Sequence, residues 1–127
     1  MCYWRCAGPD NLIGGNGDDK IFGNAGIDRL FGQNGADRLF GGDDRDIIKG
    51  GAGSDRIFGG NGNDALFGGK GNDTILGESG GDKLLGDAGR DLLNGGKNKD
   101  TLDGGAGIDT CNTDNVDKPA LRCEKIT

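Results

Sequence analysis

From Leu12 onward an aliphatic residue returns every nine positions: Leu12, Ile21, Leu30, Leu39, Ile48, Ile57, Leu66, Ile75, Leu84, Leu93 and Leu102, with Cys111 next in register. Its neighbours are β-formers such as Ile, Leu, Phe and Thr, so each period predicts a very short strand. Side chains on a strand alternate faces. The aliphatic column therefore points inward and the residues on either side point outward, and no helical period appears. The unit is clearest from Gly50 to Leu76, which reads GGAGSDRIF, GGNGNDALF, GGKGNDTIL without a gap. Numbered from its first glycine, each unit has Gly at 1, 2 and 4, Asp at 6 and an aliphatic residue at 8. Eleven such copies run from Gly14 to Asn112, preceded by a degenerate one, Arg5 to Ile13. The division is a 1–4 extension, twelve copies over 5–112, and a non-repeating cap segment, 113–127.

Position 1 is Gly in all eleven copies, and position 4 is Gly except at Asp44 and Asn98. Asp and Asn are the residues that best tolerate positive φ after Gly. Positions 1, 2 and 4 are therefore expected to form tight left-handed turns. One turn plus one strand cannot bury its own aliphatic side chain. Two copies wound into a flat coil can, and six coils stacked at ~4.8 Å give a rod of roughly 29 Å with copies n and n+2 as neighbours in parallel sheets. Outer position 9 then carries Phe22, Phe40, Phe58 and Leu76 on one face, and Ile13, Phe31, Lys49, Phe67 and Leu85 on the other. These rings either stack along the ladder or form a stripe for lateral association. Lys20, Arg38 and Arg56 recur at position 7 of the first face.

Composition alters this picture in three ways. Twenty-nine glycines in 127 residues, with 32% hydrophobic residues, leave too little apolar material for a layered core. A net charge of −6 excludes a basic nucleic-acid footprint. The chain has no histidine, the commonest general base, so it is expected not to be an enzyme. No apolar run approaches the ~20 residues of a membrane span, and the opening MCYWRCAG lacks a signal-peptide core.

Position 6 is Asp in every copy: Asp10, Asp19, Asp28, Asp37, Asp46, Asp55, Asp64, Asp73, Asp82, Asp91, Asp100 and Asp109. Stacking sets them in two rows whose carboxylates repel and raise one another's pKa. As loop caps they would tolerate Asn or Ser, and neither occurs there. Carboxylates beside glycine-turn carbonyls, without nitrogen or sulfur donors, suit Ca²⁺ better than Mg²⁺. One aliphatic side chain per nine residues is a thin core against the entropy of ordering the chain. Metal binding is therefore expected to be coupled to folding.

The nonapeptide G-G-x-G-x-D-x-U-x resembles the haemolysin-type calcium-binding (RTX) repeat over residues 5–112. The resemblance implies an all-β fold, a right-handed parallel β-roll (β-solenoid) of about six coils with two repeats per coil. It also implies Ca²⁺ between copies n and n+2, held by the position-6 aspartates and by turn carbonyls such as those of Gly15, Gly17, Gly42, Gly51, Gly53, Gly60, Gly62, Gly69 and Gly71. About ten inter-turn sites follow, with those beside Asp44, Asn98 and the first copy departing from the motif. Ten divalent ions would add twenty positive charges to the net −6, and a rod so loaded would attract acidic polysaccharide.

Cys2, Cys6, Cys111 and Cys123 sit at the two ends. Their number points to disulfides and an oxidising compartment, with zinc as the alternative. Three connectivities are open. The tail resembles the disulfide-closed caps that follow some secreted RTX arrays, which favours Cys111–Cys123 and then Cys2–Cys6. The expectation is a secreted, extracellular or cell-surface structural protein. Self-association is expected either head-to-tail or laterally through Phe22, Phe40 and Phe58. The competing reading is a calcium-dependent folding and secretion module of a larger enzyme, toxin or adhesin. Ice binding would want a regular Thr or Asn array, which positions 7 and 9 lack.

Overall fold

The computed structural model describes residues 2–3, 6–114, 122–123 and 125–126, with side chains over 7–114 and 122–123. The described residues form fifteen strands and no helix. Two short strands, β1 (Cys2–Tyr3) and β2 (Cys6–Ala7), open the chain. Ten six-residue strands follow: β3 (Asn11–Asn16), β4 (Lys20–Ala25), β5 (Arg29–Asn34), β6 (Arg38–Asp43), β7 (Ile47–Ala52), β8 (Arg56–Asn61), β9 (Ala65–Lys70), β10 (Thr74–Ser79), β11 (Lys83–Ala88) and β12 (Leu92–Lys97). Three short ones, β13 (Thr101–Asp103), β14 (Thr110–Asn112) and β15 (Lys125–Ile126), close it.

Odd and even strands separate into two parallel sheets. One has β3, β5, β7, β9, β11 and β13 in that order; the other runs from β1 through the even strands β4 to β14 and ends on β15, with β2 also on β4. Partners are eighteen residues apart, as in Lys20↔Arg38, Ile21↔Leu39 and Phe22↔Phe40, so two copies make one coil. The expected parallel β-solenoid of about six coils is what forms. The 1–4 extension and the start of the degenerate first copy add to it, since Cys2↔Lys20 and Cys6↔Asn24 extend the same register.

Between the sheets lies one file of side chains. Ile21, Leu30, Leu39, Ile48, Ile57, Leu66, Ile75, Leu84, Leu93, Leu102 and Cys111 are completely buried, and Leu12 is partly so. At the far end Cys111 is joined to Cys123 by a disulfide, Cα–Cα 5.9 Å. Arg122 donates from Nε to Asp103 Oδ1 at 2.8 Å and forms an ion pair with it, pulling the Asp103 carboxyl below its usual range. The Cys2–Cys6 pairing lies outside the described side chains.

The structure corrects the turn in two respects. Strands run from position 7 through position 3 of the next copy, twice the expected length, with position 1 left out of the pairing: Phe22↔Phe40 is followed by Asn24↔Gly42. Positive φ occurs at positions 2 and 4 but not at position 1; the non-glycine residues Asn24, Gln33, Glu78 and Asp87 take φ of 71–81° at position 2. Position 1 is glycine for a different reason, which lies in the aspartate rows.

Candidate metal centre

The turn that follows position 3 is held from both sides. Position 4 N–H groups donate forward, as from Gly17 to the Asn34 carbonyl at 2.8 Å, and position 7 N–H groups donate back, as from Arg38 to the Asp19 carbonyl at 2.8 Å. Between them the position 6 side chain turns inward. Asp28, Asp37, Asp46, Asp55, Asp64, Asp73, Asp82, Asp91 and Asp109 are all at most 2% exposed, as are most aliphatic core residues of globular proteins. Asp19 and Asp100 are buried too, whereas Asp10, in the degenerate first copy, is only half-buried.

Each carboxylate splits its oxygens between two environments. Oδ1 accepts a hydrogen bond from the backbone N–H of the aspartate eighteen residues earlier, Asp46 N–H to Asp64 Oδ1 and Asp64 N–H to Asp82 Oδ1 both at 2.8 Å, and this contact recurs from Asp10→Asp28 to Asp91→Asp109. The capping role of aspartate is therefore real, but it uses one oxygen. Oδ2 of Asp28, Asp37, Asp46, Asp55, Asp64, Asp73, Asp82, Asp91 and Asp109 is buried and receives no hydrogen bond. A buried ionised oxygen without a donor is costly, and here the cost repeats along both rows.

The carbonyl of a position 1 glycine closes on the same place. A β-carbon built on Gly59 would lie 2.6 Å from Asp64 Oδ2 and 2.8 Å from the carbonyl oxygen of Gly77. The same pair of oxygens meets Gly14 (Asp19 and Gly32) and Gly23 (Asp28 and Gly41). Position 1 is thus glycine because a carboxylate and a carbonyl converge on the space that a side chain would take. A carboxylate oxygen without a donor beside a carbonyl oxygen is a pair of acceptors that a cation would neutralise.

The carboxylates expected from the sequence line the buried rows, but the carbonyls beside them are not the expected ones. Those of Gly17, Gly42, Gly51, Gly53, Gly62 and Gly71 lie against the equivalent glycine of the next coil, between successive turns, while the carbonyls beside Oδ2 belong to position 1. A second ladder was also missed, at position 5. Asp18 Oδ1 accepts from the Ala36 N–H, Asn63 Oδ1 from the Gly81 N–H and Asn72 Oδ1 from the Arg90 N–H, at 2.8–2.9 Å. Asp18, Ser54, Asn63 and Asn72 at that position were the available signal.

Burial dominates the electrostatics. It pushes the carboxyls of Asp46, Asp73 and Asp82 up to about 7 and those of Asp55 and Asp91 up to about 6; the backbone hydrogen bond partly offsets it, and neighbouring carboxylates add less. Mutual repulsion, expected to lead, is the smaller cause. Asp28, Asp37 and Asp64 are raised in the same way. Among the described residues no three Asp, Glu, Cys or His side chains converge, so an ion here would draw on backbone carbonyls as well as carboxylates. All donors are oxygens, which fits a hard cation such as Ca²⁺. Such an ion would supply positive charge to the Oδ2 rows and tie one coil to the next.

Fold and site together define a parallel β-roll whose turns are built to take cations. The family model for RTX calcium-binding nonapeptide repeats (4 copies) matches residues 7–39, 40–75 and 76–111. The chain belongs to that family, and calcium binding follows from membership. No curated protein matches the chain.

Proposed function

We propose that this chain is a secreted structural rod that folds when Ca²⁺ binds between its coils, holding about ten ions, one for each pair of stacked copies. The observation that carries the reading is the file of buried Oδ2 atoms without donors. Folding in the absence of an ion leaves these charges uncompensated, and a core one side chain wide offers little to offset them. The Cys111–Cys123 disulfide favours an oxidising compartment. Catalysis is not part of the proposal.

Head-to-tail stacking deepens the structural role. Among the described residues β3 is paired on one side only, and its own Leu12 is only partly buried. An open ladder edge of this kind templates further pairing. Far-ultraviolet circular dichroism tests the first part: EDTA is expected to abolish the β signal and Ca²⁺ to restore it, and an unchanged spectrum in EDTA refutes the coupling. Electron microscopy in Ca²⁺ tests the second, with long fibres expected and discrete short rods refuting it.

A further inference from the structure

Strand pairing places Lys20, Arg38 and Arg56 directly opposite one another on β4, β6 and β8, all exposed. Like charges so placed are unfavourable. The Lys20 ammonium leans over the rings of Phe22 and Phe40, 4.9 and 5.7 Å from their centroids. Neither arginine has an ion-pair partner among the described residues. Two residues along, Phe22, Phe40 and Phe58 stack with centroids 4.8 and 4.7 Å apart and planes within 11°. A groove of about 400 Å³ is lined by these three cations together with Asp18, Asp19 and Asp37.

The coil does not need this arrangement. Further along the same sheet, position 7 holds Thr74, Leu92 and Thr110, and position 9 holds Leu76, Asn94 and Asn112. On the other sheet Ile47 and Ala65 interrupt position 7, and Lys49 interrupts the aromatic file. On the other sheet cation and ring coincide once, at Arg29 and Phe31; only here do they coincide in three successive coils, as a continuous strip parallel to the rod axis.

We propose that this strip binds a linear acidic polysaccharide lying along the rod, with successive carboxylates on Lys20, Arg38 and Arg56 and the sugar C–H edges against the phenyl file. The coil repeat of ~4.8 Å is close to the length of one sugar ring in an extended chain, so each coil meets one sugar. Single-stranded nucleic acid needs open aromatic faces on which to stack its bases. Here Phe40 is covered on both faces by Phe22 and Phe58. The strip exists only in the folded roll and so rests on the calcium-coupled folding proposed above.

The test uses the Ca²⁺-loaded chain, with its circular dichroism and Ca²⁺ stoichiometry measured before any sugar is added. A failure of calcium loading is then visible separately from a failure to bind sugar. Calorimetry at fixed free Ca²⁺ is expected to show binding of a hexuronate hexasaccharide and none of the neutral hexasaccharide of the same linkage. The Arg38→Gln/Arg56→Gln double variant is expected to keep its spectrum and stoichiometry while losing affinity by about tenfold or more, as two charge-assisted contacts go. Thr74→Arg, opposite Arg56, extends the row to a fourth coil and is expected to tighten binding of an octasaccharide by roughly threefold or more. Unchanged affinity in either variant overturns the proposal. So does equal binding of a polyglutamate of the same charge, or tighter binding of a single-stranded oligonucleotide.

Discussion

Gly59→Ala puts a single methyl group beside this pair of acceptors, the Asp64 carboxylate and the Gly77 carbonyl. Gly59 does not have a positive φ, so alanine meets no backbone strain and the effect comes from the space alone. The new β-carbon would stand 2.6 Å from Asp64 Oδ2, 2.8 Å from the Gly77 carbonyl oxygen and 3.3 Å from Asp64 Cγ. Non-bonded heavy atoms rest at ~3.5 Å or more, so carboxylate and carbonyl must both withdraw. Overpacking of this kind costs ~1–3 kcal/mol. Losing an ion that the two oxygens would share, as the proposed function has it, would remove about 2.7 kcal/mol at a hundredfold excess of Ca²⁺ over Kd. Against this, alanine stiffens the unfolded chain by only ~0.4–1 kcal/mol.

The expected net loss is therefore about 4 kcal/mol, a fall in Tm on the order of 10–15 °C for a chain of this size. Gly81→Ala is the control. Its β-carbon would meet nothing nearer than the Lys99 carbonyl oxygen at 3.3 Å, and its φ is likewise not positive. That variant is expected to stay within ~1 kcal/mol of the parent. Thermal melts at saturating Ca²⁺ and calorimetric counting of bound ions read both terms, with one or two ions fewer expected for Gly59→Ala. The reasoning fails if Gly59→Ala keeps its full stoichiometry and Tm, or if Gly81→Ala falls as far.

Other substitutions separate the two oxygens of each carboxylate from the core beneath them. Asp64→Asn keeps an Oδ1 acceptor for the Asp46 N–H but removes the charge; it is expected to lower Ca²⁺ stoichiometry while Asp64→Ala also breaks the ladder, so equal melting of the two in Ca²⁺ would contradict the division. Leu66→Ala empties a fully buried position and should cost ~2–5 kcal/mol, read as a lower Tm in Ca²⁺. The pH response should invert with metal. Asp46, Asp73 and Asp82 titrate near 7 in the metal-free roll against ~3.9 unfolded. Their contribution to metal-free stability is thus full below ~4 and lost as pH rises through 7. In EDTA the β signal should be stronger at pH 4 than at pH 8, while Ca²⁺ affinity should fall as acid protonates the same carboxyls; a β signal in EDTA that fades on acidification would refute this.

Much of this architecture was legible because a nine-residue period leaves few choices. Ile21 through Cys111 could be assigned to the core from spacing alone, and the same spacing fixed the eighteen-residue register. Asp28 through Asp109 could be picked out because no other residue type appears at position 6. What was not legible depends on where atoms point. Glycine at position 1 and glycine at position 2 look alike as letters, yet Gly42 is set by its φ of 116° and Gly41 by the nearness of the Asp46 carboxylate. That position 1 carbonyls lie beside the carboxylates was hidden for the same reason, since a sequence shows that a turn has carbonyl oxygens but not which one lies near the carboxylate. The contribution of Cys2–Tyr3 and Cys6–Ala7 to the first coil was hidden because sheet pairing there needs backbone more than side-chain pattern.

The two-oxygen use of aspartate also explains why position 6 is less permissive than position 5. At position 5 the acceptor is optional: Asp18, Asn63 and Asn72 supply one to an N–H of the next coil, whereas Ile27, Ala36 and Gly81 have none to give. At position 6 asparagine would satisfy the same demand through Oδ1, but its amide would point a donor where Oδ2 now faces the Gly77 carbonyl in the Asp64 coil. That donor would pair with the carbonyl and stabilise a metal-free turn. Aspartate instead leaves two acceptors opposed, a local conflict that only a cation or a proton removes. On the proposed function, the same carboxylates hold the ladder together and keep it unstable alone, which makes folding conditional on ions along the whole rod rather than at one terminal site.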